Sequence, residues 1–368
     1  MHIINGGLSP YLSMSPIEQA ENPQLWYNAR FPIYKLYPHP AITDACKVLG
    51  GAELSPDEAF ALGAVSGADI LDLVSLANKV RVKFAPEISA CSIINAKSGV
   101  CDQNCRFCAQ AAAHATGIET YPLLETPAVL AGAREAYEQG IRTFGIVTSG
   151  RGYDTPTPEF RRILAILEAL AAAFPDMQRC VSLGILSEEC VRLLAAHGAQ
   201  RYNMNLQTAP GRYSELITPK HGAAEKTETV RRLRAHGVAV CCGGILGLGE
   251  SWADRVALAF ACRESGADGI PLNVLLPIPG TPLEHLPVMQ PADVAKAFAM
   301  FRLVNPAKTL RFAAGRETIM KDFQGLLMLA GMNSIITGGY LTTRGRSVED
   351  DREFTGRLAF FGPPSSPA

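Results

Sequence analysis

From residue 88 onward the chain keeps one rhythm: a short β-prone run, a turn of glycine or polar residues, then a longer stretch with apolar side chains at helical spacing. The strand-like runs are 88–95, 143–148, 180–183, 201–205, 239–244, 269–274 and 310–312, with a last one near 334–336. Between them, stretches such as TPEFRRILAILEALAAAF, SEECVRLLAAHG and AAEKTETVRRLRAHG read as amphipathic helices. Strands that alternate with helices pair in parallel, and eight such units over roughly 250 residues predict an α/β fold, a (β/α)8 barrel of TIM type. In such barrels the chemistry lies at the C-terminal ends of the strands, so the residues closing each run are where function is to be sought.

The barrel is expected over residues 88–355. Ahead of it, residues 1–87 read as an N-terminal helical arm. Its first 40 or so residues, rich in Pro, Tyr and Asn, lack clean periodicity, and the helical preamble comes next, with Ser55 before Pro56, Asp57 and Glu58 as a helix start. Residues 356–368, ending in GPPSSPA, read as a tail. A chain of 368 residues, 48% hydrophobic, buries a large core without disulfides. Its 34 Lys and Arg nearly cancel its 35 Asp and Glu, so nothing in the balance calls for nucleic acid or an anionic membrane surface. The opening MHIINGGLSPYLSMSPIEQ lacks the basic start and apolar run of a signal peptide, and no uncharged apolar stretch is long enough to span a membrane. The expectation is a cytoplasmic protein, whose clustered thiols serve metals or catalysis rather than disulfides.

Four of the ten cysteines fall within CSIINAKSGVCDQNCRFCAQ, residues 91–110. Cys101, Cys105 and Cys108 have the spacing C-x3-C-x2-C, after the first strand run and before AQAAAHA, which reads as helical. Three thiolates on one loop can hold three irons of a cubane and leave the fourth open to a small molecule. Zinc competes, but a structural zinc site closes with four ligands, and no second pair at the usual spacing is present. A redox C-x-x-C pair of Cys105 and Cys108 leaves Cys101 unexplained.

The spacing, with aromatic Phe107 before the last cysteine, resembles the signature of the radical S-adenosylmethionine enzymes. The resemblance implies a 4Fe-4S cluster whose open iron is chelated by the methionine end of S-adenosylmethionine, yielding a 5'-deoxyadenosyl radical. Further segments, NAKSGVCDQNCRFCAQ, YNMNLQT, CCGGILGLGE, GIPLNVLLPIPGTPL and LRFAAGRE, are similar in order and separation to the biotin synthase family over about residues 88–355. That resemblance implies insertion of sulfur into dethiobiotin at C9 and C6, with a reductant such as flavodoxin or ferredoxin. Homologues are often dimers, which makes a homodimer the expectation. Gly243, Ile245 and Gly247 match the stretch beside the adenine. Asn203 and Asn205 match asparagines that contact substrate and cofactor ribose, and Asn273 matches one that holds the ureido ring; an amide both donates and accepts, as a cyclic urea requires. Gln207 stands where the family has an aspartate for the ribose hydroxyls. The nearest rivals are radical enzymes of the same barrel type, a FeFe-hydrogenase maturase or a methylornithine synthase.

In the resembled family a second, deeper iron-sulfur cluster supplies the sulfur, held by three cysteines and an arginine. The resemblance assigns Cys180, Cys241 and Arg311 to that set, but the position of the remaining cysteine, in RTFGIVTSG, is Gly145. Either the second cluster is lost or it is held differently. Cys91 lies on the first strand, between the second and the eighth, and can enter the same cavity. Cys242 is an alternative, turned inward if the following Gly-Gly pair breaks the strand. The auxiliary cluster is then of 2Fe-2S or four-iron type. Cys46, Cys190 and Cys262, in helical stretches, read as packing.

Overall fold

A computed structural model describes residues 39–339, 341 and 345–362. The chain divides into Met1–Pro40 and Ala41–Ala368. The irregular arm expected over residues 1 to about 40 lies outside the described residues except at its last two, and the barrel with its helical preamble belongs to the second unit.

The strands in chain order are β1 (Ser89–Lys97), β2 (Thr143–Thr148), β3 (Gly152–Tyr153), β4 (Gln178–Ser182), β5 (Ile185–Leu186), β6 (Arg201–Asn203), β7 (Ala239–Cys241), β8 (Gly244–Leu246), β9 (Gly269–Val274), β10 (Thr309–Phe312) and β11 (Ser334–Ile336). β1 pairs with β2, β2 with β4, β4 with β6 and β6 with β7, all in parallel. β9 pairs with β7, β8 and β10, β10 with β11, and β11 returns to β1. The ladder closes on itself as an eight-stave parallel barrel, the architecture that the β/α rhythm predicts. β3 and β5 form a separate small parallel sheet beyond the ends of β2 and β4.

The fifth stave departs from expectation. A continuous strand over 239–244 is instead two pieces, β7 and β8, interrupted at Cys242 and Gly243. The cause is on the neighbouring strand: Pro271 has no N–H to give the ladder. Gly243 passes so close that an added Cβ would lie 1.9 Å from the Pro271 carbonyl oxygen.

The helices form where the sequence supplies both a start signal and an apolar stripe. In Pro158–Ala173 the Thr157 hydroxyl accepts from the Phe160 N–H at 3.2 Å and Pro158 opens the first turn. Phe160, Ile163, Leu164, Ile166, Leu167 and Leu170 are buried along one face. Each such side chain contributes about 1.5–3 kcal/mol by burial, so the stripe outweighs propensity in fixing the helix on the barrel wall. Ser55 caps Pro56–Ala61 as expected, in a capping box with Glu58. The preamble continues in Asp69–Phe84, which packs against Pro291–Val304. At the other end the helix Val348–Leu358 runs through residue 355, where the sequence reading places the start of a tail.

The N-terminal rim of the barrel is held by a buried polar knot. Arg302 is fully buried and donates to the carbonyls of Gly331 (2.6 Å), Pro306 (2.9 Å) and Lys308 (2.8 Å) and to Asn333 Oδ1 (2.9 Å). Burial, with Arg81 nearby, pushes its pKa down to about 9. Asn333 Oδ1 also accepts from the Leu310 N–H at 2.8 Å, and Nδ2 donates to the carbonyls of Ala85 and Glu87 at 3.3 and 3.1 Å. One amide, just ahead of the eighth stave, thus joins the preamble's exit to the seventh stave and to the guanidinium. Replacing Asn333 by Ala leaves several buried partners unsatisfied and should destabilise the fold by about 3 kcal/mol, read as a lower urea midpoint at unchanged slope.

Candidate functional site

The cysteine loop leaves the C-terminal end of β1 and is tied down along its length. The Cys101 N–H donates to the Gln110 carbonyl (3.1 Å), Ala112 N–H to the Cys101 carbonyl (2.8 Å), Cys108 N–H to the Cys105 carbonyl (2.9 Å) and Arg106 N–H to the Ile217 carbonyl (2.9 Å). The Thr218 hydroxyl donates to Asn104 Oδ1 at 2.5 Å, and Lys220 Nζ to the Asp102 carbonyl at 2.6 Å. AQAAAHA is not helical, contrary to the sequence reading: its backbone groups are spent on the loop, with Ala111 bridged to Cys101 and the Gln110 side chain accepting from the Gly99 N–H at 3.1 Å. His114 lies against the loop, its Nδ1–H donating to the Cys108 carbonyl at 2.9 Å.

The three loop thiols face one another electrostatically in a half-apolar setting. Burial pushes Cys105 up to about 12, with the neighbouring Cys108 and Cys101 adding to the rise and Lys226 opposing it. Cys108 is raised by the same burial, aided by Cys101. Cys105 and Phe107 pack against the apolar group of Tyr213, Ile217, Ile245 and Leu275. Among the described residues no three His, Cys, Asp or Glu side chains converge on one point as a single metal ion requires. The irons of a cluster lie apart and take one thiolate each, so the donor set suits a cluster.

Below the loop the barrel encloses a cavity of about 340 Å³. Phe107 and Cys108 line its mouth with Asn203, Asn205, Gln207, Ile245 and Asn273. Gly243 and Gly247 lie in the backbone behind that lining: Gly243 N–H donates to Asn205 Oδ1 (3.1 Å), and Gly247 N–H to Glu250 Oε1 (2.8 Å). Asn273 Nδ2 donates to the Gly244 carbonyl and its Oδ1 accepts from the Ala314 N–H, both at 3.1 Å. The amide is oriented by two backbone partners and keeps a second N–H and a second lone pair for a ligand. Asn203 Nδ2 reaches the Ser182 hydroxyl at 3.4 Å. Gln207 holds a left-handed backbone (φ 72°), and its Oε1 is a buried acceptor without a hydrogen-bond partner, an arrangement that suits a ligand hydroxyl.

At the bottom of the same cavity Cys91, Cys180, Cys241 and Arg311 come together with Arg201. Arg201 Nη1 and Arg311 Nη1 each lie 3.5 Å from the Cys241 sulfur. Arg311 Nε donates to the Ser334 hydroxyl at 3.0 Å, which accepts also from the Ser89 hydroxyl at 3.0 Å. Burial pushes the Cys91 thiol up, Arg311 pulls against it and Cys241 adds to it; Cys180 is raised by burial and by the other two sulfurs. Burial opposes the Arg311 charge, yet Cys91 and Cys241 hold its pKa above the ordinary value. Gly145 stands in register with Cys180, and a Cβ there would lie 3.8 Å from the Cys180 Cβ and 3.0 Å from Ile93 Cγ2. A side chain at 145 would therefore point at the cage, whose nearest sulfur on the first stave is Cys91.

Cys242 is excluded from the cavity, correcting its place as an alternative ligand. Its N–H still donates to the Gly269 carbonyl at 2.8 Å, so ordinary strand alternation from Cys241 carries it to the outer face. There it neighbours the Cys262 thiol of Trp252–Glu264, which helps to lower its pKa. Cys190 and Cys262 are buried, as packing predicts, whereas Cys46 is exposed. Sequence reasoning missed Arg201 and Lys226. Arg201 is two residues before Asn203 on one strand, so the same alternation that points one inward points the other. Lys226 sits on a polar helix with no local sign of burial, yet its ammonium is buried, donates to the Asn205 carbonyl at 2.9 Å and feels Cys105.

Residues 96–262 match the family model of the Radical SAM superfamily, and residues 271–360 that of the Biotin and Thiamin Synthesis associated domain. The chain is 52% identical over 328 residues to biotin synthase from Chlorobaculum parvum, covering 88% of this chain and 98% of that one. It is 54% identical over 325 residues to biotin synthase from Chlorobium phaeovibrioides, at 88% and 98% coverage. Among solved structures, methylornithine synthase superposes with a TM-score of 0.71 at 16% identity, over 88% of this chain and 97% of that one. The FeFe-hydrogenase maturase from Carboxydothermus hydrogenoformans does so with 0.72 at 16% identity, over 86% and 78%. At that identity the likeness is one of fold.

The raised Cys105 thiol gives a pH signature in the iron-free protein. Because its pKa is pushed up to about 12, the reactive thiolate fraction keeps growing with pH well past the point where an ordinary cysteine levels off. Alkylation by iodoacetamide, followed by peptide mass spectrometry, should show the Cys105 rate still rising between about pH 9 and 11.

Proposed function

The chain belongs to the biotin synthase family, and from that membership and the cavity we propose a role for each residue of the site. Like its family the protein is a radical S-adenosylmethionine enzyme that transfers sulfur to dethiobiotin. When bound, a 4Fe-4S cluster with S-adenosylmethionine supplies hydrogen abstraction at C9 and C6, and an auxiliary iron-sulfur cluster supplies the sulfur that fills those positions.

The observation that carries the reading is the continuity of the cavity: Cys108 at its mouth and Cys91, Cys180, Cys241 and Arg311 at its bottom border one volume. A substrate between them faces both ends without leaving the barrel. Cys101, Cys105 and Cys108 would hold the 4Fe-4S cluster through their thiolates, and the cluster would supply a site for the methionine end of the cofactor. The buried Lys226 ammonium offsets negative charge on that side. Gln207 Oε1 accepts from a ribose hydroxyl, Asn205 supports the same edge, and Ile245 packs against the adenine with Gly243 and Gly247 shaping the backbone behind it. Asn203 and Asn273 grip the ureido ring, their amides already aimed by Ser182 and by the backbone of Gly244 and Ala314.

Cys91, Cys180, Cys241 and Arg311 hold the auxiliary cluster, of 2Fe-2S or four-iron type, with Cys91 taking the place that Gly145 leaves empty. On this reading the reductant is a small carrier such as flavodoxin or ferredoxin, the enzyme is a homodimer and the reaction runs in the cytoplasm, a reading that family membership supports. No helix among the described residues is long and apolar enough to cross a membrane. Residues 88–355 form the catalytic body, with 1–87 and 356–368 as flanks.

Anaerobic incubation of the reconstituted enzyme with dethiobiotin, S-adenosylmethionine and reductant should yield biotin and 5'-deoxyadenosine. Cofactor cleavage without biotin would contradict the sulfur-insertion reading. Cys91→Ser should lower iron and sulfide content while sparing the cluster of the loop, and adding Gly145→Cys should restore part of the loss. Unaltered metal content in Cys91→Ser would remove Cys91 from the ligand set.

A further inference from the structure

We propose that Arg201 is a positioning residue of the deep cage: its guanidinium holds the Cys241 sulfur and supplies a second fixed positive charge to the auxiliary cluster. The inference rests on the reading of Cys91, Cys180 and Cys241 as ligands of that cluster. It assigns a role to a side chain that neither the cysteine pattern nor the family motifs single out.

Register and aim carry the argument. On β4, Cys180 has Gly145 beside it on β2 and Arg201 beside it on β6. One neighbour has no side chain, and the other reaches along the cavity wall to Cys241 on the next strand. Arg201 Nε is fixed by Gln178 Oε1 at 3.1 Å, which the Thr143 hydroxyl contacts at 3.4 Å. Its free end then meets the Cys241 sulfur at 3.5 Å, the same distance at which Arg311 meets it. The fork is therefore held at its root and presented at its tip, the arrangement that makes a guanidinium a directional donor rather than a mobile charge.

Charge decides what such a pair is for. Two guanidiniums converging on one sulfur repel each other in a medium that screens poorly, and a single thiolate cannot neutralise both. Three thiolates can: they bring three negative charges into the pocket, against which Arg311 alone sets one. Arg201 sets a second, and net charge and hydrogen bonds to sulfur are the terms that set a cluster's reduction potential. Removing the charge of Arg201 should make the auxiliary cluster harder to reduce, while a lysine, which keeps the charge and loses the fork, should preserve the potential.

The test uses the full-length protein, reconstituted anaerobically, as wild type, Arg201→Gln, Arg201→Lys and Cys180→Ala, with iron and sulfide counts and a redox titration followed by visible absorption and electron paramagnetic resonance. Cys180→Ala should lose the auxiliary signal and keep that of the loop; retention of both signals would overturn the underlying ligand reading instead. With that control in place, Arg201→Gln should shift the auxiliary midpoint to more negative potential and Arg201→Lys should stay near wild type. A folded Arg201→Gln that takes up no auxiliary iron where Arg201→Lys does supports the proposal equally. An unchanged midpoint in fully loaded Arg201→Gln, with or without a raised KM for dethiobiotin, overturns it. So does failure of both variants to load with equal loss of thermal stability, which makes Arg201 a residue of the fold alone.

Discussion

Everything in this molecule depends on a ladder of parallel strands that closes. An open sheet would leave two edges and let its strands slip; a closed one locks the register of each stave to both neighbours, and with a side-chain period of two it decides which residues share the interior. Cys241 and Cys242 show the force of this. Adjacent in the chain, they are separated by the thickness of the wall, one facing two guanidiniums and the other a cysteine of the helix layer. The same rule brings Cys91, Cys180 and Cys241 from three different staves to one pocket.

The site is built of groups that cost free energy until they are loaded. Its thiols lie where burial disfavours the thiolate, and its arginines lie where burial disfavours the cation. Such groups neutralise one another only when a cluster draws the protons off the sulfurs, so metal binding and the electrostatic relief of the interior are one event. The barrel tolerates the unloaded state because its stability comes from elsewhere, from apolar stripes such as that of Pro158–Ala173 and from the Arg302–Asn333 knot at the opposite rim.

Much of this was legible in the residues. Alternation of β-prone runs with amphipathic stretches is a long-range pattern repeated many times, so single errors of one or two residues at strand ends, as at β1 and β6, do not disturb it. The three-cysteine loop was legible because its chemistry is local. Two features were not. The break in the fifth stave depends on Pro271 in the next strand, which no window around Gly243 contains, and the turns of AQAAAHA depend on backbone partners across the loop that outcompete alanine's helical propensity. Arg201 and Lys226 escaped for a similar reason. Surface charge is the ordinary fate of both residue types, and only the closed geometry turns them inward.

The order of layers along the barrel axis has a logistical consequence. Gln207 and the asparagines sit near the mouth with the cysteine loop, and the sulfur-bearing cage lies beneath them, above the Ser89, Ser334 and Asn333 rim. What enters past the cysteine loop reaches the lowest tier only while the upper one is vacant, as in a vessel charged from the top. By that route, restocking the depth begins with emptying the tier above it.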